Sequence, residues 1–115
     1  MVDLKRGDLV LVNLDQIKGL EKGGVRLYLI IQNDDGNSYS PLTIIAPLTT
    51  KEFTKEFPTN VYVPSKDSKL DKNYTILLNQ IKTIDKSRII KKLSSINTFY
   101  MNKVNLAIKI SLDID

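Results

Sequence analysis

Hydrophobic and polar positions form short, β-branched runs separated by turn residues through the first two thirds of the chain. These runs predict strands, since alternating apolar residues bounded by glycine, proline and asparagine are typical of half-buried strands. The runs span residues 8–14, 25–33, 42–50, 60–63 and 74–84, with 89–96 as one further candidate. Five or more short strands at this spacing favour a small barrel or sandwich.

Two polar segments interrupt the strand pattern. The stretch NDDGNSYSP, residues 33–41, has the composition of a turn and is predicted to be one. The stretch PSKDSKLDKN, residues 64–73, is predicted to be a polar excursion in which a short helix is possible.

The last part of the chain changes to a helical period. Asn97 or Thr98 is predicted to cap a helix whose apolar stripe follows at helical spacing. The stripe consists of Met101, Val104, Ala107, Ile108 and Leu112, and Leu106 and Ile110 widen it. This helix is more apolar around its girth than one docking face requires. Two interpretations carry equal weight: the helix docks fully on its own domain, or it leaves a face for a partner.

Composition limits the chemistry available to the chain. Its 115 residues suit one domain over residues 1–115, and no apolar run approaches the ~18 residues of a membrane span or follows the N-terminal charges as in a signal peptide. A cytoplasmic location is therefore expected. The absence of cysteine and histidine excludes disulfides, the usual zinc sites, thiolate nucleophiles and histidine acid–base catalysis.

The charge balance allows an anionic partner without requiring one. Seventeen basic and thirteen acidic residues give a net charge of +4. A basic excess of this size fits nucleic-acid binding and also fits an ordinary solvated surface.

Arg26 stands near the start of an otherwise apolar predicted strand. Alternation directs it away from the face of Leu27 and Leu29. If runs 25–33 and 42–50 are antiparallel neighbours, the start of one lies beside the end of the other, so Arg26 and Thr49 meet at one rim. Because an unpaired buried charge is costly, either an ion pair with Glu21 or Asp34 anchors this arginine, or a ligand completes its pairing.

Six ordered segments of the chain resemble the MazF/PemK/Kid family, the toxin halves of toxin–antitoxin pairs. They are KRGDLVLVNL, GGVR, LIIQNDDGNSYSP, TIIAPLT, PTNVYV and ILLNQIKTIDKSR, and they extend the resemblance from Lys5 to Leu112. It implies a mainly β fold with a C-terminal helix, a small SH3-like open barrel of the CcdB/Kid/MazF toxin type. It also implies a homodimer that cleaves single-stranded RNA at a short sequence, independently of the ribosome. The implied partner is a cognate antitoxin whose acidic, flexible tail covers the RNA groove.

The resemblance assigns roles to particular residues. Arg26 and Thr49 match the family's catalytic pair, and a guanidinium is well suited to stabilising the extra negative charge of a phosphorane. Gln80 matches a glutamine that lies near bound RNA. Further candidates for holding RNA are Lys18, Lys22, Gly23, Gly24, Lys51 and Lys55, which flank the expected groove. Solvated lysines and plain turn glycines are the ordinary alternatives for them.

The chain lacks a set of residues spaced to hold a metal, so no metal or cofactor is expected and the substrate's own 2′-hydroxyl is the expected nucleophile. The products would be a 2′,3′-cyclic phosphate and a free 5′-hydroxyl. Leu27, Asn60, Asn79 and Lys82 depart from the common family pattern, so the recognised RNA sequence is the property that transfers least. The alternatives are a weakly active homologue or a non-catalytic binder of the same fold, such as a topoisomerase inhibitor.

Overall fold

The computed structural model describes residues 3–14 and 24–115. Within these ranges the elements are β1 (Asp8–Asn13), β2 (Val25–Ile30), α1 (Asp34–Tyr39), β3 (Leu42–Thr49), β4 (Asn60–Val63), α2 (Ser65–Ser68), β5 (Tyr74–Leu77), β6 (Lys82–Asp85), a 3₁₀ turn (Lys86–Arg88), β7 (Ile89–Ser95) and α3 (Thr98–Leu112). None of the helices in the described ranges is long and apolar enough to cross a membrane.

The strands form one antiparallel sheet that does not close on itself. Its order is β4-β5-β3-β2-β1-β7, and β6 also pairs with β3. Strands β4 and β7 therefore remain at the two ends of the described sheet. The predicted mainly β, open fold with a C-terminal helix is confirmed.

Strand β3 changes its neighbour part-way along one edge. Leu42 to Ile45 pair with β6, whereas Leu48 and Thr49 pair with β5. Pro47 lies between these two stretches and has no N–H to donate to a neighbour. A proline is tolerated inside this central strand because it occupies the point where the ladder on that edge is interrupted.

The change of neighbour corrects one sequence prediction. The single run expected over residues 74–84 is two strands, β5 and β6, which are separated by a turn over residues 78–81. Two separate stretches of the same edge of β3 pair with these strands, and local alternation carries no information about such long-range pairing.

The two faces of the sheet bury different side chains. One face packs Leu29, Ala46 and the inner side of α3, including Val104, into a single apolar cluster. A second cluster on the other face contains Tyr28 and Ile45. Neighbouring residues of β2 and β3 thus alternate between the two clusters, as the pleat of a strand requires.

Helix α3 begins as predicted. The side chain of Asn97 caps it and accepts a hydrogen bond from the backbone N–H of Tyr100. Leu106 and Ile110 are exposed, so the helix is indeed more apolar than its docking face requires. Leu112, a member of the predicted apolar stripe, lies roughly a third of a turn from the middle of the buried face and is 49% exposed.

The segment predicted as a turn over residues 33–41 is instead the short helix α1. Asn33 caps it by accepting a hydrogen bond from Gly36 N at 2.7 Å. Asn37 is buried, donates from Nδ2 to the carbonyl of Gln32 at 2.9 Å and accepts from the hydroxyl of Thr43 at 2.8 Å. Small polar residues suit turns and helix caps equally, and here the buried contact with β3 decides in favour of the helix.

Replacing Asn37 by alanine is expected to destabilise the fold by about 1–3 kcal/mol, because the fully buried Thr43 hydroxyl would lose its acceptor. Urea unfolding followed by circular dichroism measures the change. Ser38→Ala, at the exposed neighbouring position of the same helix, serves as the control and should change stability by less than about 0.5 kcal/mol. Equal effects of the two substitutions would contradict this account of α1.

Candidate nucleic-acid interface

Arg26 and Thr49 lie toward the same end of the β2–β3 pair. In the antiparallel register Tyr28 is opposite Pro47 and Ile30 is opposite Ile45. Continued by two residues along each strand, this register sets Arg26 across from Thr49. Alternation puts both on the face of the sheet that carries Tyr28.

Arg26 does not pair with Asp34, one of the two partners considered from the sequence. Asp34 accepts a hydrogen bond from the backbone N–H of Arg6 at 2.7 Å, and this bond lowers the pKa of the carboxyl group. Glu21, the other partner considered, lies outside the described residues. No carboxylate in residues 3–14 or 24–115 forms an ion pair with the exposed Arg26 side chain. Its guanidinium donors therefore have no acidic partner in this part of the protein.

Arg6, unlike Arg26, has side-chain hydrogen-bonding partners within the described part of the fold. Its Nε donates to the carbonyl of Ile31 at 2.8 Å, and one terminal nitrogen donates to Asn105 Oδ1 on α3 at 2.7 Å. Burial lowers the pKa of this guanidinium, and the charge of Asp34 opposes that shift. Arg6 thus links the residue that follows β2 to α3 through two guanidinium hydrogen bonds.

The hydroxyl of Thr49 is oriented by its own chain. Its Oγ1 accepts a hydrogen bond from the backbone N–H of Lys51 at 3.1 Å. With one lone pair engaged, the hydroxyl hydrogen remains able to donate to an external acceptor such as a phosphate oxygen. Thr49 is half-buried at the end of β3, where a ligand on the surface can reach it.

Tyr28 and Lys82 are two members of this site that sequence reasoning did not select. Tyr28 is only 3% exposed, and Lys82 Nζ lies 5.9 Å from the centre of its ring. Burial raises the pKa of the Tyr28 phenol, and the positive charge of Arg26 partly opposes the rise. The periodic pattern marked Tyr28 as facing the same way as Arg26, but the approach of Lys82 depends on the pairing of β6 with β3.

Gln80 lies in the turn that separates β5 from β6. Its side chain is exposed, and its backbone N–H donates to the carbonyl of Leu77 at 3.3 Å. Gln80 thus lies two residues before β6, in a turn rather than in the strand that was expected.

Gly24 precedes β2 and has φ +85°, a conformation that side-chain-bearing residues rarely adopt. Its carbonyl accepts from the N–H of Leu14 at 3.1 Å and so closes the β1–β2 pair. This placement accounts for Gly24 as a turn residue, while its contact with RNA stays a prediction. Lys18, Lys22 and Gly23, the other candidates in this region, lie outside the described residues.

Lys51 and Lys55 lie in the loop between β3 and β4, away from the sheet face of Arg26. Both line an open groove of about 1230 Å³ between this loop, β4 and α3. Lys51 Nζ lies 5.2 Å from the ring centre of Phe53, which meets Phe57 edge to face. The groove begins one residue beyond Thr49, so the two lysines are adjacent to the candidate pair but do not share its face.

The residue after Arg26 has a structural role. Leu27 is paired with Leu11 in the β1–β2 ladder and packs against the apolar cluster under α3. The β1–β2 ladder and the apolar cluster thus hold β2 at the residue that follows Arg26. Asn79 is exposed in the turn before β6, and Asn60 begins β4.

Acidic side chains do not gather into a metal site in the described part of the chain, where no group of three or more potential ligands is found. Arg26, Thr49 and Lys82 instead present two cations and a hydroxyl on one sheet face. Such a set can bind and stabilise a phosphate through charge and hydrogen bonds.

The fold and the ordered motifs define a class of small bacterial toxin. Residues 5–112 match the model of the PemK-like, MazF-like toxins of type II toxin–antitoxin systems. The chain therefore belongs to this family. It is 45% identical over 109 residues to Endoribonuclease MazF of Staphylococcus saprophyticus. The alignment covers 95% of this chain and 91% of the relative.

Solved structures of low sequence identity have the same fold. A MazE–MazF crystal structure from Deinococcus radiodurans matches with a TM-score of 0.81 and 21% identity over all of both chains. A mycobacterial endoribonuclease in complex with its cognate antitoxin matches with a TM-score of 0.79 and 24% identity over 97% of each chain. These matches extend the agreement in fold over essentially the whole chain.

The two arginines are expected to differ in their contribution to stability. Arg6→Ala removes two side-chain hydrogen bonds, one to the carbonyl of Ile31 and one to Asn105 on α3, and should lower the free energy of unfolding by about 1–3 kcal/mol. Arg26→Ala, at an exposed position without a described ion pair, should change it by less than about 0.5 kcal/mol. Urea titrations of both variants test this contrast, and unfolding of the Arg26 variant would show that this side chain anchors the fold.

Proposed function

We propose that this protein is a ribosome-independent endoribonuclease toxin that cleaves single-stranded RNA at a short sequence. The observation that carries the proposal is the exposed Arg26 guanidinium, which shares a sheet face with Thr49 and lacks an acidic partner in the described residues. Membership of the toxin family and the 45% identical relative named as an endoribonuclease support it. Messenger RNA as the target would place its action in the cytoplasm.

In the proposed reaction, the 2′-hydroxyl of the RNA loses its proton to solvent and its oxygen forms a bond to the adjacent phosphorus. The bond from that phosphorus to the 5′-oxygen of the next nucleotide breaks, and this oxygen takes up a proton from solvent to become the 5′-hydroxyl. Arg26 donates to the phosphate oxygens and offsets the charge that builds up in the transition state. Thr49, whose oxygen is fixed by the Lys51 amide, donates its hydroxyl hydrogen to the same phosphate. Burial raises the pKa of the Tyr28 phenol, which disfavours its ionised form.

The first test concerns the catalytic role of Arg26. Arg26→Ala should reduce the rate of RNA cleavage by about a hundred- to a thousand-fold, the typical effect of removing one donor that stabilises a transition state. Thr49→Ala should reduce it less. Mapping of new 5′ ends in a long defined RNA measures the rate at each site. Intact RNA with wild-type protein would favour the alternative of a non-catalytic binder.

A second test concerns the nucleophile. Cleavage should persist in excess chelator, and a substrate with a 2′-deoxy nucleotide on the 5′ side of the cut should bind but not be cleaved. Mass spectrometry of the products should find a 2′,3′-cyclic phosphate and a 5′-hydroxyl. Chelator-sensitive cutting, or cutting of the deoxy substrate, would contradict a mechanism in which the RNA supplies its own nucleophile.

The proposal includes a cognate antitoxin with an acidic, flexible segment. The solved relatives from Deinococcus and from mycobacteria include toxin–antitoxin complexes, which supports a partner of this kind for a member of the same family. The net charge of +4 favours association with an acidic segment over a basic one. Such a segment would compete with RNA for the unpaired cations.

A homodimer is the third part of the proposal. Leu106 and Ile110 form an exposed apolar stripe on α3, and Ile90 and Leu93 are exposed on the end strand β7. Either surface offers apolar area that a second copy would bury.

Light scattering at micromolar concentration should therefore give twice the chain mass of 13.0 kDa. Leu106→Asp and Leu93→Asp test the two surfaces separately, since a charge buried at a subunit interface disfavours association. The substitution that yields a monomer identifies the interface. A monomeric wild-type protein would contradict the proposed dimer.

A further inference from the structure

Lys82 approaches the candidate site from a strand that is distant in sequence. It begins β6, where it pairs with Ile45 of β3, and its side chain is exposed. Its Nζ lies 5.9 Å from the ring centre of Tyr28, a residue of β2 on the far side of β3. The lysine therefore reaches across the middle strand of the site toward the Arg26 side of the sheet.

Arg26 lies on the same sheet face as this aromatic ring. It precedes Tyr28 by two residues on one face of β2, roughly 7 Å along the strand. Its charge opposes the rise in the pKa of the Tyr28 phenol that burial causes, so the guanidinium and the phenol lie within electrostatic range. Both cations thus lie on the sheet face of this buried ring.

The two cations are not neutralised by acidic groups in the described ranges. Neither Arg26 nor Lys82 forms an ion pair with a carboxylate of residues 3–14 or 24–115. Asp85, the nearest acidic residue along β6, instead accepts a hydrogen bond from the backbone N–H of Ser87 at 2.9 Å. The two like charges repel one another. An anion bound between or beside them would attract both and so offset this repulsion.

We propose that Lys82 binds a second phosphate of the RNA strand, next to the phosphate held by Arg26, with the Tyr28 ring positioning the lysine. This inference rests on the proposed function, since it takes RNA as the ligand of this sheet face. A lysine suits the role because its ammonium group contacts a backbone phosphate as a point charge and does not select a base. The buried ring limits the positions open to the lysine stem and so lowers the entropy lost when the phosphate binds.

Lys82→Gln tests the assignment in steady-state cleavage of a short RNA that spans a mapped cut site. The KM should rise about tenfold while kcat stays within about twofold, because Lys82 contacts a phosphate that does not take part in the bond cleavage. The slope of log(kcat/KM) against log salt concentration should become shallower by about 0.7, the value for one phosphate contact on a single strand. Lys82→Arg, which keeps the charge, should restore both values.

Lys109→Gln is the matched control, since Lys109 is an exposed lysine on α3 outside the site. It should leave KM and the salt slope unchanged. If Lys82→Gln also leaves both unchanged while wild-type protein cleaves the RNA, the assignment of Lys82 is overturned and the proposed function is not.

If wild-type protein cleaves no RNA, the proposed function fails, and the same salt series is then measured on equilibrium binding of the RNA by fluorescence anisotropy. A slope that is shallower by about 0.7 in Lys82→Gln would still support the phosphate contact. An unchanged slope would overturn it.

Discussion

The change of partner along β3 is the constraint around which the candidate site is built. This strand must pair with β2 along one edge and with β6 and then β5 along the other, and Pro47, which has no N–H, occupies the point of change. Thr49 follows this point on β3, and Gln80 lies in the turn that the change requires between β5 and β6. The interruption of pairing along β3 thus accounts for the turn that carries Gln80 and for the strand end that carries Thr49, and a ligand can contact both.

The two arginines illustrate how this protein separates structural from functional charge. Arg6 has its guanidinium engaged by a backbone carbonyl and by Asn105, whereas Arg26 is exposed without a described acidic partner. Elsewhere in the described chain every buried side-chain nitrogen or oxygen has a hydrogen-bond partner. Arg26 and Lys82 lie on the sheet face of Tyr28 without a carboxylate partner in the described ranges, and two cations on one face favour the binding of an anion.

Buried polar contacts also correct the interpretation of the segment after β2. The residues of 33–41 are small and polar, and such residues form turns, caps or short helices with similar local energies. The hydroxyl of Thr43 on β3 requires an acceptor inside the protein, and Asn37 provides it from α1. The helix therefore depends on a contact between segments and not on the helical propensity of its own residues.

Much of the fold follows from local pattern alone. Alternation located most of the strands, the cap at Asn97 placed the start of α3, and the apolar girth of that helix anticipated the exposure of Leu106 and Ile110. The ordered motifs were sufficient to indicate the toxin family. The same pattern overestimated the length of β2 and merged β5 with β6, because strand ends depend on neighbours that are distant in sequence.

For the site, the sequence by itself determined which chemistry is available: without histidine or cysteine, phosphate chemistry must rely on arginine, lysine and hydroxyl groups. It also placed Arg26 and Thr49 at one end of a strand pair, given that the strands are neighbours. Only the tertiary structure decided that Asp34 accepts a hydrogen bond from the backbone N–H of Arg6 and that Lys82 approaches the ring of Tyr28. The physical reason is that register and partner choice between strands come from long-range packing and hydrogen bonding, which no local period of the sequence encodes.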